Sequence, residues 1–152
     1  MIKICFCSSQ KFRPELEKFM ADFQKIARKN KQSFVIFHPE FEKKERKFEL
    51  SSEKMRLQDA SYRKAIPGVV YNHLFRKVAQ ADIVFIFNKD GYIGANTHGE
   101  LFAAAITRKL IFALEPKFLM GSYPKDMYEE PSASYLVHDI AKSPKELFEK
   151  IK

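Results

Sequence analysis

No run of apolar residues in this chain approaches the roughly 20 that a membrane-crossing helix needs, so a membrane-spanning class is not expected. The strand-like Ile2-Lys3-Ile4-Cys5-Phe6-Cys7 follows Met1 directly, which leaves no room for a signal peptide and sets a cytoplasmic expectation. Cysteine is scarce, with two residues in all. Cys5 and Cys7 are two apart on a strand, so they point the same way but are badly placed to bond each other. No histidine stands at ligand spacing from them, so no metal site is expected and buried, reduced thiols are the reading. Helix-turn-helix, ribonucleoprotein and zinc-finger patterns are also missing. So are internal repeats and any linker that would divide the chain.

What is present fits one soluble domain spanning residues 1–152. The chain is long enough to bury a core, with 45% hydrophobic and 30% charged residues. A net charge of +8 invites a nucleic-acid reading. The charges at 11–31 and 40–64 are mixed in sign, however, and mixed-sign density marks solvated helical faces rather than phosphate-binding stripes. No specific nucleic acid and no membrane partner is therefore expected. The basic field still favours an anionic small ligand. No cofactor is expected, and a homo-oligomer is compatible with the sequence without being dictated by it.

Apolar strands alternate with helical periods. Residues 2–7 and Phe34-Val-Ile-Phe37 are the first two strands, separated by Leu16, Phe19, Met20, Phe23, Ile26 and Ala27 at helical spacing. Pro14, Glu15 and Glu17 suit the first turn of that helix. Segment 40–65 is charged and weakly periodic, an excursion containing a helix; another helix is expected over 67–80. Strand three is 83–87, strand four 109–114 and strand five 134–138. Residues 115–132, with Pro116, Gly121, Pro124 and Pro131, read as a long loop. A closing helix opens at Ser143-Pro-Lys-Glu146 with a capping-box pattern. Together these indicate an α/β fold: a three-layer, open, mostly parallel sheet of about five strands with helices on both faces, flavodoxin- or Rossmann-like, of order 2-1-3-4-5.

That order brings three loops to one sheet edge, where such folds bind ligands. After strand one comes Ser8-Ser9-Gln10-Lys11-Phe12-Arg13, and after strand two His38. After strand three comes Asn88-Lys-Asp90-Gly91-Tyr92-Ile-Gly94-Ala-Asn96-Thr97-His-Gly-Glu100. Gly91 and Gly94 allow a tight turn and close backbone approach to a ligand. Ser8 and Ser9 either meet a ligand or cap a helix. For Lys11 and Arg13 solvent exposure is preferred. Thr97 and Glu100 fit a capping box as well as a catalytic acid, and on that bland reading Asn88, Asp90 and Tyr92 are ordinary turn residues. His98 is expected to face away from Glu100.

The segment Ala81-Asp-Ile-Val-Phe-Ile-Phe-Asn88, then Gly91-Tyr-Ile-Gly94, Asn96-Thr97, Glu100, Ala104 and Lys109-Leu-Ile-Phe112, resembles the nucleoside 2-deoxyribosyltransferase superfamily, which includes deoxynucleotide N-glycosidases. The loop from Ser8 to Arg13 is similar to that superfamily's first loop. The resemblance covers about two-thirds of the chain and leaves out 40–65 and 115–132. It implies Glu100 as the nucleophile that attacks a sugar's anomeric carbon, through a covalent glycosyl ester. It also implies a nucleoside or nucleotide whose sugar is held by loop backbone around 91–97 and whose hydroxyl or 5′-phosphate meets Ser8 and Ser9. With the other sheet-edge residues the candidate binding set is Ser8, Ser9, Lys11, Phe12, Arg13, His38, Asn88, Asp90, Gly91, Tyr92, Gly94, Asn96 and Thr97. The sequence departs from the superfamily in one respect: no acid stands between Tyr71 and Gln80, where active members carry an aspartate that handles the leaving base. Either Asn72 or His73 substitutes, histidine being able to exchange a proton near neutral pH, or the acid is missing because this member does not catalyse base exchange. Two classes follow, a glycosyl transferase or hydrolase and a non-catalytic nucleotide-binding module with the same pocket.

Overall fold

Parallel strands form the centre of the molecule. The computed structural model describes residues 1–41 and 44–152; Glu42 and Lys43, part of the expected excursion, lie outside the described residues. Strand β1 (Ile2–Cys7) lies between β2 (Phe34–Phe37) and β3 (Ile83–Ile86). Beyond β3 come β4 (Leu110–Ala113) and the short β7 (Asp139–Ile140), giving the order β2-β1-β3-β4-β7. All four pairings are parallel, with Ile4 opposite both Ile36 and Ile83, and Phe85 opposite Phe112. Counted within this sheet, the order is the expected 2-1-3-4-5.

The two-residue alternation of a strand makes the three layers. Ile4, Phe6, Ile83, Phe85 and Phe112 enter one core. There they meet Leu16, Phe19, Phe23 and Ala27 of α1 (Arg13–Lys29) and Leu147, Phe148 and Ile151 of α7 (Pro144–Ile151). Cys5, Cys7, Val84, Ile86, Ile111 and Ala113 enter the other, against Val78 and against Leu101 and Ala104 of α5 (Ala95–Ile106). Helix α1 has Pro14 and Glu15 in its first turn and Arg28 and Lys29 in its last, as proline geometry and the helix dipole favour. At α7, Ser143 Oγ accepts from the Glu146 amide at 3.1 Å, while Glu146 reaches back to the Lys142 amide at 2.9 Å. The box therefore closes one residue earlier than its pattern predicts.

Three boundaries differ from expectation. Segment 134–138 is not a strand: it follows the short α6 (Pro131–Ser134), and pairing begins only at Asp139. The Ser134-Tyr-Leu-Val-His138 run is apolar enough for a strand but leaves Tyr135 fully at the surface. The expected loop 115–132 contains an antiparallel hairpin, β5 (Leu119–Ser122) and β6 (Asp126–Glu129). Gly121 takes φ +107° there, and a Cβ would sit 2.5 Å from the Asp126 carbonyl oxygen, so the close pairing needs glycine.

The third difference governs the site. After α2 (Arg46–Leu50) and α3 (Glu53–Arg56), helix α4 begins at Ala60 rather than 67, runs to His73, and continues as a π-helical turn over Leu74–Val78. Asp59 caps it by accepting from the Tyr62 amide at 2.8 Å. Pro67 looks like a helix start in the sequence but lies inside α4 with its ring exposed to solvent. Lys11 ties the excursion down, donating to the carbonyls of Leu50 (3.2 Å) and Ser51 (2.5 Å). Arg13 pairs with buried Glu49 at 2.7 Å. Among the described residues no helix is long and apolar enough to cross a membrane.

Candidate functional site

Because β1 and β3 are parallel neighbours, the loops that leave their carboxyl ends share one sheet edge. Ser8 Oγ joins them, donating to the carbonyl of Ser9 at 3.1 Å and of Phe87 at 3.4 Å. Ser9 Oγ accepts from the Lys11 amide at 3.3 Å and starts the short turn into α1. Both serines line a cavity of about 120 Å³, together with Tyr92, Gly94, Asn96, Thr97 and Glu100. Seven of the expected site residues thus converge, with His73 as an eighth.

The others have different work. Asn88 is fully buried and saturated: its Nδ2 donates to the carbonyls of Glu115 and Lys117, both at 2.9 Å. Its Oδ1 accepts from the amides of Leu114 (3.1 Å) and Glu115 (2.9 Å). No hydrogen-bonding capacity remains for a ligand; Asn88 fastens the end of β3 to that of β4. Asp90 turns to Tyr123 (2.5 Å) and Lys89 (3.2 Å). Gly91, at φ +78°, allows the turn to pass against Leu119, whose side chain would stand 3.2 Å from a Cβ. Phe12 packs on Tyr92 and Tyr123. His38 is exposed and lies on a separate groove, beside Leu16 and Ile36. Asn72 reaches Glu40 at 3.5 Å and lies off the cavity wall.

Lys11 and Arg13 correct a specific expectation, since Lys11 is buried, Arg13 is only partly exposed and ion-paired, and neither lines the cavity. Burial, with Arg56 beside it, pulls the Lys11 ammonium down to about 8. Burial also works against the charge on Glu49, but the Arg13 and Arg46 guanidiniums outweigh it and hold that carboxyl below its ordinary range. These ion pairs press the excursion against the sheet edge, where it becomes the second wall of the cavity. Glu53, Arg56, Tyr62, Ile66, Val69 and Val70 belong to that wall. Sequence reasoning missed them. Tyr62, Ile66, Val69 and His73 fall at i, i+4, i+7 and i+11, a helical stripe that starting the helix at Pro67 cuts in two.

At the floor the capping-box reading of Glu100 fails. Helix α5 begins at Ala95 with Gly94 as its cap residue and no side-chain cap bond. Thr97 is thus already inside the helix, and Glu100 stands in its second turn with its side chain directed into the cavity rather than back to an amide. The Oε1 atom of Glu100 is 3.8 Å from His73 Nε2, and Oε2 has no hydrogen-bond partner. Burial raises the Glu100 carboxyl to about 8, with the Cys7 thiol opposing weakly. Burial, aided by Lys77 and His38, lowers His73 to about 4. Near pH 7 the pair is a carboxylic acid beside a neutral imidazole.

Cys5 and Cys7, on the same face of β1, complete the floor. His73 Nε2 lies 3.7 Å from Cys5 Sγ and 3.5 Å from Cys7 Sγ. Sequence spacing shows no His–Cys cluster, because His73 is 68 and 66 residues from Cys5 and Cys7; the fold assembles one. Both thiols are free and buried. His98, as expected, faces elsewhere, its ring against Phe102 at 4.7 Å.

The arrangement offers a buried carboxyl with one open oxygen, two hydroxyl-bearing loops and a partly apolar wall. A comparison with protein-family models, with curated proteins and with solved structures finds no match to the chain.

Proposed function

We propose that the protein cleaves or transfers the N-glycosidic bond of a nucleoside or nucleotide, as a nucleoside 2-deoxyribosyltransferase-like enzyme with Glu100 as nucleophile. The observation that carries this reading is the unpartnered Glu100 Oε2, buried at the floor of a cavity whose rim is made by the loops after β1 and β3. A buried carboxyl without a structural partner is costly, and such costs are kept where a group has work to do. A cavity of about 120 Å³ takes one ring-sized group, which suits the sugar. The base then lies against the apolar residues Ile66, Val69 and Val70 at the wall. The hydroxyls of Ser8 and Ser9 and the start of α5 suit a sugar hydroxyl or a 5′-phosphate.

In the reaction a lone pair of Glu100 forms a bond to the anomeric carbon while the carbon–nitrogen bond breaks. Its electrons leave with the base, which takes up a proton. Water or a second base then attacks the same carbon and releases a proton to solvent, offsetting the one the departed base took up, while the ester electrons return to Glu100. On this reading His73, 3.8 Å from Glu100, takes the part of the missing aspartate once a small side-chain movement brings the two within hydrogen-bond distance. Burial keeps Glu100 largely protonated at pH 7, so cleavage rises with pH toward about 8 as the nucleophile ionises.

The same neutral Glu100 favours the second reading, a binding module in which the acid only donates a hydrogen bond. Incubation with a panel of nucleosides and 5′-monophosphates, with and without an acceptor base, separates the two. The enzyme reading expects free base from the parent and a loss of about a thousandfold or more in Glu100→Gln with folding retained. Binding without base release in the parent leaves the module.

A further inference from the structure

We propose that Cys5, Cys7, His73 and Glu100 form a binding site for a thiophilic d10 cation, zinc, beneath the cavity floor. The ligand atoms of Cys5, Cys7 and His73 all lie within 4.8 Å of one another. His73 Nε2 is 3.5 Å and 3.7 Å from the two sulfurs and 3.8 Å from Glu100 Oε1. Tetrahedral zinc, with bonds of about 2.3 Å to sulfur and 2.0–2.1 Å to nitrogen or oxygen, has donor-to-donor edges of roughly 3.3–3.8 Å. The two sulfur–nitrogen edges therefore match a tetrahedral set, whereas the nitrogen–oxygen edge is about half an ångström longer than the roughly 3.3 Å such a set has, a gap that the Glu100 side chain must close when an ion binds. Strand β1 presents both thiols on one face, while His73 closes α4 and Glu100 comes from α5, so the four side chains reach the site from three elements.

The donor set decides the class of ion. Two sulfurs and an imidazole favour zinc over magnesium or calcium, which take oxygen ligands. Zinc entering as the dication displaces the two thiol protons, and the Glu100 proton where it is present, to the buffer. The imidazole gives its Nε2 lone pair, and no electron transfer is involved. A second observation points the same way: Glu100 Oε2 and His73 Nδ1 are both buried without a hydrogen-bond partner, so this corner holds more polar capacity than the chain itself uses. Glu100 and His73 line the cavity, which provides the route by which an ion reaches the thiols behind them. An ion there occupies the Glu100 oxygen and closes the floor to another ligand.

This inference stands apart from glycosidic chemistry, because its readout is metal rather than base. Protein purified with a reductant, stripped with a chelator and titrated with cobalt(II) should take up one ion per chain. It should develop the intense visible bands of tetrahedral cobalt and a sulfur-to-cobalt charge-transfer band, both removed by one equivalent of zinc. X-ray absorption on the zinc form should show two sulfur neighbours and two lighter ones. Cys7→Ser and Cys5→Ser should each weaken binding at least tenfold. The parent spectra keep the test decisive even where a variant fails to fold. Zinc lost on desalting, cobalt bound without the charge-transfer band, or zinc with only nitrogen and oxygen neighbours would each overturn the site.

Discussion

The two faces of β1 come from alternate residues of one six-residue strand, yet they support different things. On the α1 and α7 side Phe6 meets the rings of Phe85 at 5.5 Å, Phe23 at 6.1 Å and Phe19 at 6.2 Å, all edge-to-face. On the α4 and α5 side Cys5 and Cys7 meet an imidazole and a carboxyl, two of whose polar atoms have no partner. The first face contributes apolar burial and ring packing, which stabilise. The second desolvates ionisable groups, which costs free energy and shifts their protonation. One strand thus divides the labour: the aromatic face packs rings, while the thiol face brings ionisable groups together at the edge of a second apolar core.

The largest effect should come from the aromatic face. Phe6→Ala removes a fully buried ring from the middle of the cluster and should cost about 3–5 kcal/mol, read from the urea midpoint. A loss below about 1 kcal/mol would mean that the two faces do not differ as described.

A smaller effect, of opposite kind, belongs to the thiol face. In the folded protein Glu100 is raised to about 8 and His73 lowered to about 4. Through most of the window from about pH 6.5 to 8 His73 is largely neutral folded or unfolded, whereas Glu100 is largely protonated when folded, losing its proton toward pH 8, and ionised when unfolded. The folded state binds the extra proton, so stability falls as pH rises through this window, by about 1–2 kcal/mol. Below pH 6.5 the two groups oppose each other and the curve flattens. Denaturation of chelator-treated protein at pH 6.5 and 8 should show the drop in the parent and little of it in Glu100→Gln. An equal drop in both assigns it to other groups.

The smallest contrast lies between two helix starts. Ser143→Ala removes an observed cap and should cost about 0.5–2 kcal/mol. Thr97→Ala removes none, and better helix propensity offsets the lost methyl, so its cost should stay within about 0.5 kcal/mol of zero. Equal losses in thermal or urea unfolding would restore the capping role of Thr97.

The sheet was legible because β1 to β4 are short apolar runs between clear helical periods; their order is one of those that right-handed crossovers permit, and the sequence itself does not select it. Strand β7 was not, because two residues give no pattern; the better-looking run 134–138 lies beside it. The pocket rim was legible from Ser8, Ser9, Tyr92, Gly94, Asn96, Thr97 and Glu100, all in loops or helix starts that leave one sheet edge. Asn88 and Lys11 could not be read that way. A saturated amide or a lysine bonded to carbonyls 40 residues away looks in sequence like any polar loop residue. The excursion wall stayed hidden because Pro67 splits the stripe that carries it. The His73–thiol cluster joins groups whose separation along the chain gives no motif.

The central claim is that Glu100 is a reactive carboxyl rather than a capping residue. Acid quenching of the parent during turnover of a nucleoside or nucleotide that releases base, followed by peptide mass spectrometry, tests it most directly. The account predicts a glycosyl ester on the peptide that contains Glu100, absent from Glu100→Gln. Base release at the parental rate by Glu100→Gln, or an ester on another residue, would contradict it.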